Sequence, residues 1–515
     1  MARSLAAPTP EEIHRAKLRD FRASGAGGPL PSNVDWIAQL PPEGQRPFAG
    51  AVRRKPSRTL SGVAVVAVMT APARCPHGRC TYCPGGVENG SPQSYTGEEP
   101  SALRGAQFHW DARAIARQRI ATLEEIGHAT SKVEVIVMGG TFPARPRAYQ
   151  EEVLRGLYDG LNGTPSTSLA DAQAQNEAAE HRVVGLTVET RPDWCDERVL
   201  PFLLGAGVTR VEIGVECLHD DVLAAVGRAH TSGDAALATR HARDRGLKVC
   251  YHLMLGLPGM DPASDFADFE RLWEDEAFRP DLLKIYPTLV LPGTPLYDDW
   301  RAGRYAPYDT EVAATLLARM KRRLPPWVRI QRIQRDIPAR LIAAGVRTSN
   351  LREKALERLH AEGAHCRCLR CREAGRRATP RPEAFQLTTA DYAAGGGRER
   401  FFAWEDPVTD TVAGFLRLRF PSDRTPGGLD SPVIRELKVV GSEVPVGREG
   451  GRPNEYQHRG FGGSLLDAAE EAVRAAGFSR AYVTSAVGTR EYYRRRGYER
   501  AGPHMAKTVF AGHNS

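Results

Sequence analysis

The sequence has no long apolar stretch. Its longest uncharged apolar run, Gly62 to Met69, is far short of the roughly 20 residues a helix needs to cross a bilayer. Near the N-terminus, proline and charged residues stand where a secretory leader would place its apolar core, so the expected location is cytoplasmic. A disulfide framework is missing too. Nine cysteines are an odd number, and most fall in two tight clusters, a pattern that suits metal binding in a reducing compartment. The first cluster also lacks a nearby fourth thiol, since the next cysteine after Cys83 is Cys195. What is present is length for two or three domains in 515 residues, and 41% apolar content to fill their cores. The net charge of +8 permits a polyanionic partner without identifying one.

The chain is organised around Arg74-Cys75-Pro76-His77-Gly78-Arg79-Cys80-Thr81-Tyr82-Cys83-Pro84-Gly85-Gly86. Thiolates are soft ligands suited to iron–sulfur clusters or zinc. Three of them, Cys75, Cys80 and Cys83, would hold three irons of a [4Fe–4S] cluster and leave the fourth open. An open iron can chelate S-adenosylmethionine and pass an electron to its sulfonium, releasing a 5′-deoxyadenosyl radical. An incomplete zinc knuckle or a disulfide pair is the competing explanation. Position favours the cluster, because the loop follows a strand-like run and barrels carry their catalytic groups at the C-terminal ends of strands.

From about 60 to 300, short β-branched runs alternate with helix-length amphipathic segments. Strands are expected at Val63 to Met69, Lys132 to Met138, Val183 to Glu189, Arg210 to Val215, Lys248 to Leu253 and Leu283 to Thr288. Six alternations imply an α/β unit with parallel strands, either a partial barrel or an open doubly wound sheet. The polar stretch Asn162 to Glu180 reads as a surface insertion. Strand ends at Gly139, Gly140, Glu189 and Glu212 are candidates for an S-adenosylmethionine pocket.

Residues 321 to 377 hold sixteen Lys or Arg against five acids, an excess of eleven that is larger than the net charge of the whole chain. Such a bias points to nucleic acid, although a solvated helical face accounts for many of the individual residues. The same segment carries His365, Cys366, Cys368 and Cys371, a candidate zinc set whose Cys-x-Cys spacing is tight for a knuckle. Beyond residue 384, strands are expected at Phe401 to Glu405, Gly414 to Arg419 and Val433 to Val440. Gln457-His458-Arg459-Gly460-Phe461-Gly462-Gly463 then opens a helix, a turn that presents backbone N–H groups to a pyrophosphate. With a following strand and Tyr492-Tyr493-Arg494-Arg495-Arg496-Gly497-Tyr498, this order resembles GCN5-related acetyltransferases.

Both modules in one chain, with the strings Gln93-Ser94-Tyr95-Thr96-Gly97, Met138 to Phe142, Val188 to Cys195, Leu283 to Leu289 and Gln334 to Pro338, resemble the catalytic subunit of Elongator. The resemblance implies a basic extension (1–55), a partial (βα)6 radical S-adenosylmethionine barrel (56–315), a basic linker (316–383) and an α+β acetyltransferase domain (384–515). It implies attachment of an acetyl-CoA-derived unit to C5 of uridine 34 in tRNA, bound through its anticodon stem-loop, with an electron donor as second partner. A protein lysine acetyltransferase with a structural cluster and a non-catalytic tRNA-binding protein are the alternatives. The four-residue gap between Cys75 and Cys80 looks like archaeal and bacterial members, which act without the other Elongator subunits. By position, acetyl-CoA contacts are expected at Lys132, Glu436, Leu437, Lys438, Val439, Gln457, Gly460, Phe461, Gly462, Gly463 and Tyr493. Tyr493 and Lys284 are the catalytic candidates. The chain departs from the family at Glu216, where glutamine is expected, and at Gly256-Leu257-Pro258-Gly259, in place of an Asp-Leu-Pro-Asn-like string.

Overall fold

A computed structural model describes residues 10–24, 36, 39–40, 59, 62–423, 425–441 and 455–509. The basic string Arg53-Arg54-Lys55 lies outside them. Strands β1 (Ala64–Met69), β2 (Lys132–Met138), β3 (Arg182–Thr190), β4 (Arg210–Glu216), β5 (Lys248–Leu255), β6 (Leu282–Pro287) and β7 (Arg329–Ile333) form one parallel sheet in chain order. A doubly wound sheet reverses its order at a switch point, so this sequential order makes it a partial barrel. Helices fill the crossovers, and several start where a side chain satisfies the first free amides. Asp111 caps Ala112–Glu125, while Thr231 and Asp261 form capping boxes for Ser232–Arg243 and Pro262–Glu274. The six expected strands are joined by a seventh, β7, whose Arg-Ile-Gln-Arg-Ile run is too polar to stand out as a strand.

The strands bury opposite faces differently. Val66, Val68, Val133, Val135 and Val137 pack against the outer helices in the main core. Their alternating neighbours, including Val65, Lys132 and Glu134, face a cleft inside the sheet.

The second sheet comprises β8 (Gln386–Ala394), β9 (Gly397–Asp406), β10 (Thr411–Phe420), β11 (Val433–Val439), β12 (Arg480–Val483), β13 (Glu499–Ala501) and β14 (His504–Thr508). Its order is β13-β14-β12-β11-β10-β9-β8, antiparallel except for β11 against β12. The helix Phe461–Ala475 packs Leu465, Leu466 and Val473 onto Leu416, Leu418 and Ile434 of this sheet.

Buried charges join the two units. The register of β10 and β11 shifts between Arg417 and Leu418, a bulge that leaves Arg435 unpaired and re-aims it. Its guanidinium meets Asp281, just before β6, at 2.7 and 2.8 Å and Glu399 of β9 at 2.7 Å. Arg243 reaches the same two acids at 3.2 and 3.3 Å. Every one of these side chains is at most 1% exposed.

Two expectations are corrected here. The stretch 162–180 is not merely a surface insertion. It forms the helix Leu169–Asn176, and the buried Asn176 amide serves Asn162 Oδ1 and the Val183 N–H, each at 2.8 Å. Glu177 then pairs with Arg490 (2.9 Å) and Arg494 (2.7 Å) of the second unit. Gln173, Asn176 and Glu177 thus face the protein, while Thr164, Thr167, Ser168 and Glu180 stay exposed. In the basic segment, Lys321 and Arg372 are fully buried and not open to phosphate. Arg372 pairs with Glu405 and Asp410 at 2.8 Å each. Arg322, Arg323, Arg340, Arg347 and Arg367 are exposed.

Candidate active site

The loop after β1 carries Cys75, Cys80 and Cys83 into a pocket walled by Gly140, Glu189, Glu216 and His252 from the ends of β2 to β5. Only glycine fits at position 85, where a Cβ would stand 1.8 Å from the Tyr95 carbonyl oxygen. The loop therefore folds directly onto Ser91–Tyr95 and brings Gln93 to the cysteines. Gln93 Nε2 donates to Cys83 Sγ at 2.9 Å, His77 Nε2 lies 3.2 Å from Cys80 Sγ, and Thr141 Oγ1 lies 3.9 Å from Cys75 Sγ. Burial lifts the Cys75 and Cys80 thiols above their usual value. Burial, with the Arg191 and Arg228 charges, holds His77 down to about 4, so its ring is neutral.

These residues fit a [4Fe–4S] cluster. Three soft donors share one pocket, yet their sulfurs are not drawn within 4.8 Å of one another as the 366–371 thiols are, a spread that suits a cluster better than one ion. Arg191 Nη1, Tyr82 OH and Arg228 Nε are buried there with no hydrogen-bond partner among the described residues, which marks room for a polar ligand. Arg191, 2% exposed and held by Asp193 at 2.8 and 3.0 Å, was not singled out from sequence. Glu216 adopts φ +68° and pairs with Arg228 at 3.1 Å.

Of the four residues expected around S-adenosylmethionine, Gly140 and Glu189 line this pocket. Gly139 instead packs on Thr70, where a Cβ would come within 2.3 Å of its hydroxyl. Glu212 is 0% exposed and lies outside the pocket wall. It accepts from Lys284 and, at 3.1 Å, from His252, and faces Arg210 Nε at 3.4 Å. Burial alone would raise its carboxyl, but Lys284, His252 and Arg210 hold it well below the usual range. Burial alone would likewise lower Lys284, and Glu212, with Glu189 at 3.8 Å, outweighs it and keeps the ammonium charged. Arg210 in turn meets Glu134 at 2.5 Å. Charges thus run across the inner face of β2, β4 and β6. Parallel strands covered on both faces read as continuous apolar runs. Alternate charges within Lys-Val-Glu, Arg-Val-Glu and Leu-Leu-Lys were the unused signal for this polar floor.

The cleft over that floor has a volume of about 1360 Å³ and is shared by both sheets. Lys132, Lys284, Glu436, Leu437, Lys438, Val439, Gln457, Gly460, Gly462, Gly463 and Tyr493 all line it. Residues 132 and 457 meet directly, with Lys132 Nζ donating to Gln457 Oε1 at 3.4 Å. Phe461 does not line the cleft. It packs inward on Phe385, Trp404 and Tyr456. β12 pairs with β11 only at Val433 and Ile434, so Glu436–Val439 present a backbone edge that an extended amide-bearing ligand can pair with. Gly460, at φ +85°, starts the helix Phe461–Ala475 with its first amides toward the cleft. A Cβ on Gly463 would come within 2.3 Å of the Arg496 guanidinium, which therefore lies across this helix end. Arg496 is a second residue not foreseen, although the Arg494–Arg496 run was in view. Burial raises the Tyr493 phenol well above its usual value.

Cys366, Cys368 and Cys371 converge with sulfurs within 4.8 Å of one another, and Lys321 Nζ lies 3.7 Å from Cys371 Sγ. His365 is exposed, stands outside that group and packs edge-on against His360 at 5.5 Å.

Family models match in two parts, the Radical SAM superfamily over residues 70–271 and the Radical_SAM C-terminal domain over 280–361. The chain is 43% identical over 508 residues to the tRNA uridine(34) acetyltransferase of Methanocaldococcus jannaschii, covering 96% of this chain and 94% of that one. It is 43% identical over 515 residues to Elongator complex protein 3 of Homo sapiens, covering 97% and 93%. The solved structure of the archaeal Methanocaldococcus infernus Elp3 with an N-terminal deletion superposes with a TM-score of 0.78 at 40% identity, covering 88% of this chain and all of that one.

Proposed function

Because this chain belongs to the family of the tRNA uridine(34) acetyltransferases and Elongator complex protein 3, we propose that it attaches an acetyl-CoA-derived carboxymethyl group to C5 of the wobble uridine of tRNA. One observation carries this function. A single cleft is walled by both sheets, with the helix start at Gly460–Gly463 at one side and Lys284 at the other, and the Lys284 counter-ion Glu189 belongs to the cysteine pocket. As a radical S-adenosylmethionine protein the chain uses a [4Fe–4S] cluster and S-adenosylmethionine. Held by Cys75, Cys80 and Cys83, the cluster would supply the electron that cleaves S-adenosylmethionine to a 5′-deoxyadenosyl radical.

The chain's own groups supply the rest. The amides at Gly462 and Gly463, with Arg496 across them, suit the pyrophosphate of acetyl-CoA. The open edge at Glu436–Val439 suits the amides of the pantetheine arm. Lys132 and Gln457 clasp the mouth, one from each unit. Lys284 holds a fixed positive charge that suits the thioester carbonyl oxygen, which gains negative charge as water attacks it. When water hydrolyses the thioester, the C–S bond breaks and the protonated Tyr493 phenol gives its proton to the leaving sulfur. The exposed arginines of 322–367 suit the phosphates of the tRNA. Cys366, Cys368 and Cys371 suit a structural zinc ion, with His365 outside the ligand set.

The direct test is anaerobic turnover of cluster-reconstituted protein with tRNA, acetyl-CoA, S-adenosylmethionine and a one-electron reductant, followed by nucleoside mass spectrometry. 5-Carboxymethyluridine should form with the unaltered chain and vanish with Cys80→Ala. Acetylated protein with unmodified tRNA would instead indicate a lysine acetyltransferase.

A further inference from the structure

Of the neutral side chains that meet the three cysteine sulfurs, Gln93 makes the shortest contact, and the reaction above does not use it. Gln93 is 5% exposed, and its Nε2 donates to Cys83 Sγ at 2.9 Å. The side chain is wedged in place. A Cβ on Gly86 would lie 3.1 Å from Gln93 Oε1, and one on Gly140 would lie 3.4 Å from Gln93 Cβ. On the far side of the cysteine loop, Arg228 Nη1 stands 4.0 Å from Cys80 Sγ, but its Nη2 is taken at 3.1 Å by the Glu216 carboxylate. A donated N–H therefore meets one thiol of the pocket, and an arginine paired to a carboxylate stands beside another.

We propose that Gln93 is a positioning residue that sets the reduction potential of the cluster, and that Glu216 opposes it by neutralising Arg228 beside Cys80. This rests on Cys75, Cys80 and Cys83 being the cluster ligands. An added electron places more negative charge on the cluster and its sulfurs. An N–H aimed at a sulfur is strengthened by that charge and favours the reduced state. A carboxylate close by in a buried site disfavours it. The two side chains act in opposite directions, so their removal has opposite signs.

The experiment is an anaerobic redox titration of the reconstituted full-length protein without S-adenosylmethionine, with soluble one-electron mediators and the reduced-cluster paramagnetic signal as readout. Gln93→Leu should make reduction roughly tenfold less favourable, a negative shift of about 59 mV for a one-electron couple. Glu216→Gln should shift the midpoint the other way. Iron and sulfide content of the unaltered protein tests the ligand assignment separately, and an unaltered protein that holds no cluster overturns both. A fully loaded Gln93→Leu with an unchanged midpoint overturns the role of Gln93 alone. If Gln93→Leu does not take up iron, Gln93→Met keeps the length of the side chain without a donor or a charge and should show the same negative shift. Loss of the cluster in both would make Gln93 a folding residue and end the proposal.

Discussion

At the scale of single residues, the informative groups are buried charges with a defined partner. Lys284 and Glu212 are the sharpest pair, since one is 5% and the other 0% exposed. Lys284→Met leaves Glu212 buried with its main counter-ion gone, at a cost of roughly 3–5 kcal/mol in chemical denaturation. The double variant Lys284→Met/Glu212→Leu should recover most of that stability yet form no modified uridine. Recovery of both stability and turnover would confine Lys284 to a packing role. Asp265 makes a prediction of the opposite kind. Burial lifts it to about 6, although Tyr308 OH and the Gly256 N–H both donate to it, at 2.7 and 2.8 Å. Its folded-state pKa is raised, so its contribution to stability is full below about pH 4 and is lost as pH rises through about 6. Asp265→Asn should flatten the melting temperature over that window, and an unaltered slope would show that Asp265 is not its source.

At the scale of elements, the helix Phe461–Ala475 links sequence to binding most directly. Gly463 lies within it and leaves space for the Arg496 guanidinium. Gly463→Ala improves helix propensity by roughly 1 kcal/mol while displacing Arg496 from the helix end. Acetyl-CoA should therefore bind several-fold more weakly by calorimetry, with an equal or higher melting temperature. Unchanged affinity would remove Arg496 from the binding site. The same contrast explains what could be read from sequence. β2 is read correctly from Lys132 to Met138 because Val133, Val135, Ile136 and Val137 crowd β-branched residues into one short run. β7 escapes because its Arg329 and Gln331 meet partners that only tertiary structure supplies, Glu373 for Arg329 and Cys250 for Gln331. Cys75, Cys80 and Cys83 are legible because ligand spacing is local. Gln93 and Arg191 are not, because each acquires its meaning from a loop folded over the same pocket.

At the scale of the whole molecule, the cleft exists only while both sheets hold their relation. That relation depends on Asp281, which accepts from the Val249 N–H at 2.9 Å and pairs with Arg243 and Arg435 in a site closed to water. Burial alone would raise its carboxyl, and the arginines hold it far below the usual range. Asp281→Asn should cost roughly 3–5 kcal/mol and split calorimetric unfolding into two transitions, one for each unit. A single unshifted transition would assign the coupling to the surrounding apolar contacts. No helix among the described residues is long and apolar enough to cross a membrane.

One cleft should serve one reaction, in which the methyl group of acetyl-CoA gives up a hydrogen to the radical made in the cysteine pocket. The decisive measurement is anaerobic turnover with acetyl-CoA deuterated on its methyl group. The expected result is one deuterium in 5′-deoxyadenosine and two retained in the carboxymethyl group of uridine. Unlabelled 5′-deoxyadenosine, with no modified uridine from protein shown to hold its cluster, would contradict it.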